Sequence, residues 1–414
     1  MNVAYFSPMP PSRSGIADYS ALLLPALRER IGIEVVKQGS RRQPRGTDLA
    51  LYHVGNDPDS HGWIVEALRA HPGVVVLHEW VLHHLVAGLT LGRKDVAQYL
   101  AALERDHGIA GRLLGLGVVD GCVTPLWETR PEDFPLAGVV LDATRGRGVI
   151  VHSRYVEERV RAWGYPGPVW RIPHPAWPEP EVDPVDLGDG PVLGCLGHLN
   201  ASKRLPQLLD AFARVHEAVP EARLLLVGQA APQLDLPGRI ERLGLPPGAI
   251  LREEYVEERR FWSLLAACDA VVSLRAPTMG ETSGSAIRAL SLGRPLVVSD
   301  VGWFAELPDA VALKVPVDER ETDVLAATLE LLARREDVRA AMGLAARDHV
   351  AGQHGVERAA DLYAAALEEA AGGPAVREAV LGEVAAAAAE VGIEPGSDEA
   401  AAIGARLREA RVGE

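Results

Sequence analysis

Short runs rich in Val, Ile and Leu recur along this chain, and between them lie longer stretches with apolar residues at helical spacing. Few architectures satisfy that alternation. A strand that is apolar at every position must be covered on both faces, and helices interleaved with such strands supply the cover, so the pattern specifies a parallel sheet with helices on either side. The pattern occurs twice. The first series places strands at 3–7, 33–37, 49–54, 74–78 and 149–152, with helices near 16–30, 61–70, 81–89, 94–104 and 107–115. The second places strands at 192–197, 223–228, 249–253, 270–274 and 295–299. Between them residues 173–191 are rich in Pro and acid, a composition with little capacity for regular pairing. The reading is therefore an α/β protein of two tandem doubly wound, Rossmann-like domains, 1–175 and 186–355, with an Ala-rich helical tail over 356–414 whose apolar face suits docking on a body or a partner. In such folds ligands lie beyond the carboxyl ends of the strands.

Charge narrows the partners. The 42 Lys and Arg stand against 57 Asp and Glu, a formal net charge of −15. Grip on nucleic acid rests on cations neutralising phosphates, and attraction to anionic membranes needs the same sign, so neither is expected. A phosphate-bearing ligand must then be held by a local pocket. Cys122, Cys195 and Cys268 are far apart in sequence and suggest neither a disulfide framework nor a CxxC metal site. No stretch reaches the length of a spanning helix and the N-terminus has no signal-like h-region, so a cytoplasmic location is the expectation.

The most informative stretch is 275–309. A strand ends at Leu274, a polar loop follows, and Ser283 starts an apolar-periodic helix that Gly293 stops. A helix entered through Gly280-Glu281-Thr282-Ser283-Gly284 presents free backbone N–H groups suited to phosphate, and its small residues allow close approach. Thr282 or Ser283 as a plain helix cap is the simpler reading of that loop alone. Glu281 beside a phosphate cradle needs another partner, such as a sugar hydroxyl.

These residues resemble the family 4 retaining glycosyltransferases of the GT-B fold (glycosyltransferase group 1). The family has a Glu in a loop, a small-residue helix start, a second Glu eight positions on, a Gly-Pro-type strand and a Gly-Gly-x-x-Glu turn. Glu281, Ser283-Gly284, Gly293-Arg294-Pro295 and Val301-Gly302-Trp303-Phe304-Ala305-Glu306 take those places, while Ala289 stands where the family has its ribose-binding Glu. The first loop, Pro10 to Tyr19, is similar to the family's sugar-phosphate loop, with Gly15 as its glycine. Gly197-His198-Leu199-Asn200-Ala201-Ser202-Lys203-Arg204 looks like the Gly-Arg-Leu…Lys segment that brackets a diphosphate, with His198 in place of the first cation and Arg204 as a substitute for it. His78, at the end of a buried strand, matches a His beside sugar and acceptor. Asn56, His61 and the pair His83-His84 resemble segments of one bacterial subset, which gives Asn56 and His61 an acceptor role. Tyr255 and the loop after Gly228 are the expected base-binding region.

The resemblance implies transfer of a hexose from a nucleoside diphosphate sugar, UDP or GDP, to an acceptor hydroxyl of a small molecule, glycan or natural product, with retention at the anomeric carbon. His78, Lys203 and Glu281 are the expected catalytic residues. Gly15, His198, Lys203, Arg204, Tyr255, Glu281, Thr282, Ser283, Gly284 and Glu306 are the expected donor site. The family is thought to react on one face of the sugar, with the leaving phosphate helping to deprotonate the acceptor. No cofactor and no metal are expected. Asp57-Pro58-Asp59 reads as a turn and helix cap in place of a metal-binding Asp-x-Asp, and the histidines at 78, 83 and 84 lack the HExxH spacing. The C-terminal helices are the expected surface for any oligomer. Two other readings remain open: a nucleotide-sugar 2-epimerase on the same fold, and a non-catalytic binding or scaffold protein.

Overall fold

The computed structural model describes residues 1–12, 14–232, 234–372 and 374–409. Arg13 of the first loop and Gly373 within the tail lie outside them, as do the last residues, 410–414. Twelve strands form two six-stranded sheets among the described residues. The first runs β2-β1-β3-β4-β5-β6 with β1 Asn2–Phe6, β2 Gly32–Val35, β3 Leu49–Val54, β4 Val74–Leu77, β5 Val149–Val151 and β6 Val169–Arg171. The second runs β12-β11-β10-β7-β8-β9 with β7 Val192–Leu196, β8 Arg223–Val227, β9 Ile250–Glu253, β10 Ala270–Ser273, β11 Leu296–Ser299 and β12 Ala312–Val315. Every pairing is parallel. β3, β4 and β7 are buried along their whole length, as unbroken apolar runs require. Edge strands β6 and β12 are additions to the sequence reading. Each is short and carries a cation, Arg171 or Lys314, so neither shows an uninterrupted apolar run.

Six helices position the cleft. In the N-terminal half α1 (Gly15–Arg28) is capped by Ser14, whose side chain accepts from the Ile16 N–H, and α2 (Pro58–Ala70) by Asp57, which accepts from the Ser60 N–H at 3.0 Å. Asp57-Pro58-Asp59 is thus a cap with Pro in the first turn, where its missing N–H is harmless. α3 (Arg154–Ala162) is capped by Ser153. In the C-terminal half α4 (Leu205–Ala218) follows β7, and α5 (Gly284–Ser291) is capped by Ser283, whose Oγ accepts from the Ala286 N–H at 3.3 Å.

The sixth helix, α6 (Val356–Ala370), returns to the N-terminal half. Ala359, Ala360, Tyr363, Ala366 and Leu367 pack in one core with Val3, Tyr5, Leu23 and Leu27. The Tyr363 and Tyr19 hydroxyls lie 2.7 Å apart, and Arg30 pairs with Glu357 and Asp361. The first tail helix is therefore a structural part of the first layer. The two that follow, Pro374–Glu390 and Asp398–Glu409, do not bury their described side chains on the body of this chain: these are exposed or half-buried. Among the described residues no helix is long and apolar enough to cross a membrane.

Candidate active site in the interdomain cleft

The carboxyl ends of both sheets meet at a cavity of about 250 Å³. The N-terminal half contributes Ser14, Gly15, His61, His78 and Glu79 to its lining, and the C-terminal half Glu281, Thr282, Gly284 and Arg288.

On the C-terminal side three sources of positive charge or free N–H groups gather beside Glu281 and could hold an anion, although Lys203 and Arg275 are not themselves in the cavity lining. Lys203 is buried just beyond β7 and donates from Nζ to the Leu196 carbonyl at 2.5 Å. Gly197, with φ +101°, leaves the space through which that amine approaches: a Cβ there would stand 3.3 Å from Nζ and 3.8 Å from Ser285 Oγ. Burial pulls the Lys203 amine down to about 8, and the charge of Arg275 acts in the same direction. Arg275, just after β10, donates from Nε to Glu281 Oε1 at 2.8 Å. The third source is the start of α5, where the N–H groups of Gly284 and Ser285 precede the first intrahelical acceptor. Glu281 is fixed twice more, since its Oε2 accepts from the Met279 N–H at 2.8 Å and from Thr278 Oγ1 at 3.3 Å. The Thr282 hydroxyl is buried with no partner in the protein, a group that a ligand would satisfy.

Four other expected donor residues stand elsewhere. Arg204, in the left-handed region at φ +55°, points its guanidinium to the buried carboxylate of Glu321, with Nε 3.0 Å from Oε1. His198 is exposed beyond Gly197 and Tyr255 is 58% exposed after β9; neither lines the cavity. Glu306 accepts from the Arg154 and Tyr155 N–H groups at 3.0 and 2.6 Å, so its carboxylate caps α3 across the cleft. Ala289, where the resemblance has a Glu, is fully buried in the apolar core.

The N-terminal wall is built from neutral histidines. His78 Nε2 lies 3.0 Å from His53 Nδ1, and His53 Nε2 is buried without a partner. A buried N–H without an acceptor is the rarer and costlier defect, which puts the His53 proton on Nδ1 and leaves His78 protonated at Nδ1. Burial, together with neighbouring His152, His53 and His174, holds His78 well below the usual imidazole range, so it meets a ligand as a neutral donor. His61 Nδ1 lies 3.2 Å from the His53 carbonyl, which can only accept. Its Nδ1 is therefore protonated and its Nε2 bare. Gly15 opens directly on the cavity, with nothing within 4 Å of where a Cβ would stand. The Asn56 side chain accepts from the Leu85 N–H at 3.1 Å and thus starts the helix His83–Leu89; its own N–H donates to Glu79 Oε1 at 3.2 Å. His83 is spent on the Phe134 carbonyl and the Tyr99 hydroxyl.

Residues that sequence reasoning gave no role complete the site. Glu79, the first charge after an unbroken apolar strand, sits where α/β sheets present ligand groups, and that position was its signal. Arg288 stacks on Trp177 at 3.7 Å and reaches Asp18 at 3.5 Å across the cleft; nothing in its helical spacing marks it.

Residues 190–334, which hold Lys203, Arg275, Glu281 and Glu306, match the family described as "Glycosyl transferases group 1". No curated protein matches the chain. Among solved structures, sucrose-phosphate synthase from Thermosynechococcus elongatus is 18% identical over 88% of this chain and 97% of its own, with a TM-score of 0.55. Anabaena HepE, solved with UDP and glucose, is 15% identical over 89% and 100%, at 0.54. WaaG, a glycosyltransferase involved in lipopolysaccharide biosynthesis, is 14% identical over 87% and 98%, at 0.55. The fold is GT-B. The chain spans 46% of the length of S. aureus TarM, a longer structure that it also matches. In GT-B terms, Lys203, Arg275 and α5 belong to the C-terminal domain, while Gly15, His61, His78 and Glu79 face them from the N-terminal one.

Proposed function

We propose that this chain is a retaining glycosyltransferase that moves a hexose from a nucleoside diphosphate sugar, UDP or GDP, to an acceptor hydroxyl, without a metal ion. The observation that carries the reading is the convergence of Lys203, Arg275 and the start of α5 beside Glu281, opposite Gly15 and His78. A diphosphate set against α5 meets backbone N–H groups and two cations, which stabilise the charge that develops as the glycosidic oxygen leaves. That set supplies the charge a divalent ion would otherwise bring. Glu281, held by three donors, keeps acceptor capacity for sugar hydroxyls, and His78 offers an N–H from the other wall. The match of residues 190–334 to group 1 glycosyl transferases and the UDP bound by HepE support the same reading.

The test is a panel of UDP-, GDP- and ADP-sugars, with binding read by calorimetry and turnover by release of the nucleoside diphosphate. At least one donor binds and turns over, and Lys203→Ala and Glu281→Ala each lower turnover by about 100-fold, near 2.7 kcal/mol of transition-state stabilisation. Absence of any nucleotide-sugar binding, or full activity in both variants, would sink the proposal. An epimerase would instead convert UDP-GlcNAc with no acceptor, and a scaffold would bind without turnover.

A further inference from the structure

A second cavity, of about 280 Å³, opens in the N-terminal half and shares no lining residue with the cleft. Its volume is at the small end of ligand pockets. The indoles of Trp80 and Trp163 give it an apolar body, and four charged side chains border it: Asp106, Glu132, Asp133 and Arg159. Two of the four are already satisfied. Asp106 accepts from Arg105 Nε at 2.8 Å and from the Gly138 N–H at 3.2 Å, and Asp133 accepts from Arg130 Nε at 2.8 Å. Glu132 and Arg159 have no ion-pair partner among the described residues. Glu132 spends Oε1 on the Thr278 N–H and keeps Oε2. The Arg159 guanidinium lies 3.4 Å from the Tyr155 ring centroid, and a guanidinium stacked by its face keeps in-plane N–H groups for a carboxylate. Burial raises the Tyr155 hydroxyl, and of the charges that act on it Arg159 lowers it and Glu132 raises it, yet these two do not pair with each other. His107 adds an acceptor. Its Nε2 is buried without a partner, and since an orphaned N–H is the costlier defect, the proton belongs on Nδ1.

A carboxylate and a guanidinium that border one cavity without pairing, with two indoles alongside, match a molecule that carries both charges next to an apolar body. The same groups hold the domains together. The Trp80 N–H donates to the Met279 carbonyl at 2.7 Å, Glu132 accepts from the Thr278 N–H, and Arg159 stacks on Tyr155, whose N–H donates to Glu306 at 2.6 Å. An occupant of this cavity therefore touches three of the residues through which the N-terminal half grips the C-terminal one. We propose that the cavity is an effector site for a free α-amino acid with an apolar side chain, whose carboxylate pairs with Arg159 and whose ammonium meets Glu132, and that its occupant tightens the joint between the domains. His107 Nε2 is a further acceptor for the ammonium. A ligand that binds the joined arrangement better than a loosened one shifts the population toward it. Because the loop through Thr278 and Met279 leads into Glu281, the site communicates with the cleft without sharing a residue with it.

The experiment uses the full chain with no nucleotide present, so its outcome does not depend on the glycosyltransferase reading. Calorimetry measures binding of L-phenylalanine, L-leucine and L-tryptophan at millimolar concentrations, and of the N-acetyl and methyl ester forms of each, which lack the ammonium and the carboxylate respectively. At least one free amino acid binds, about 10-fold more tightly than either of its blocked forms, and Arg159→Met and Glu132→Gln each weaken it about 10-fold. Gln keeps an acceptor for the Thr278 N–H and Met keeps an apolar stem on Tyr155, and thermal melts confirm that each variant folds. Hydrogen exchange read by mass spectrometry then shows the segments 78–82 and 276–281 slowed at least about 3-fold when the site is saturated, with no slowing in Arg159→Met at the same concentration. Failure of all three amino acids to bind overturns the proposal, as does a blocked form that binds equally well. So does binding that neither substitution weakens, which would place the probe elsewhere on the chain. Binding that leaves exchange in both segments unchanged overturns the effector role.

Discussion

Lys203 shows how one buried charge sets function against stability. Its folded pKa of about 8 lies below the 10.5 of a free lysine, so the unfolded chain binds that proton more tightly. Below pH 8 the charged amine therefore destabilises the fold, by an amount on the order of 3 kcal/mol. The penalty shrinks as pH rises from 8 toward 10.5, because the unfolded chain then loses its proton too. Lys203→Met removes the penalty, and its cost is one unpaired Leu196 carbonyl, about 1 kcal/mol. We expect the variant to melt higher than the parent at pH 7, with the gap closing by pH 10, and to bind the nucleoside diphosphate at least about 10-fold more weakly at pH 7. A variant that melts lower at pH 7 would show that the amine is stabilised by its surroundings. Gly55 is the corresponding residue on the other wall. Gly55→Ala puts a Cβ 2.6 Å from Ile16 Cδ1, 3.1 Å from His61 Nε2 and 3.3 Å from Glu79 Oε1, so those side chains must give way. Melting should show a loss of about 1 kcal/mol.

At the scale of elements, the sequence was most legible where periodicity was strong. The apolar strands, the caps at Asp57 and Ser283 and the polar loop before α5 follow from local patterns, and the structure places them as read. Edge strands were not legible, because a three-residue Val-Trp-Arg strand carries no periodicity. Nor were the destinations of Arg204 and Glu306, since each is settled by a partner more than a hundred residues away: Glu321 for one, the start of α3 for the other. Glu79 is an intermediate case, visible as a charge at a strand end, though its place beside His61 in the cavity lining depends on the close packing around Gly55. The tail makes the same point. Its amphipathic pattern announced a docked helix, but which of three helices docks depends on the facing surface of α1. Tyr363 and Leu367 each bury a side chain worth about 2 kcal/mol against that surface. A chain ended after Gly355 should therefore lose the cooperative melt of its N-terminal domain, whereas one ended after Gly372 should melt as the full chain does. Differential scanning calorimetry separates the outcomes. Equal melts for both chains would mean that α6 adds nothing to that core.

For the molecule as a whole, the joint between the domains and the loop that carries Glu281 are the same piece of chain. The Met279 carbonyl accepts from the Trp80 and Val81 N–H groups at 2.7 and 2.9 Å, and the Thr278 N–H donates to Glu132 at 2.5 Å. The next residue but one is Glu281, whose carboxylate is held by the Met279 N–H from the same loop. The loop that joins the domains therefore also holds Glu281 in the cavity lining, opposite His78 and Glu79. Glu306 adds a second seam by capping α3, a contact worth about 1–2 kcal/mol at a helix N-terminus. Losing it should loosen the joint by that amount, a factor of about 10 in how firmly the two domains are held together. Lys203, Arg275 and α5, the groups proposed to hold the diphosphate, all lie in the C-terminal domain and do not cross the joint. Glu306→Ala should thus lower donor turnover by about 10-fold while changing nucleoside diphosphate affinity by less than about 3-fold, and small-angle scattering should show a larger radius of gyration. A direct contact from Glu306 to the nucleotide predicts the opposite division, with affinity falling and the radius unchanged. The comparison therefore decides whether this carboxylate belongs to the donor or to the joint, and the two N–H groups it accepts from α3 argue for the joint.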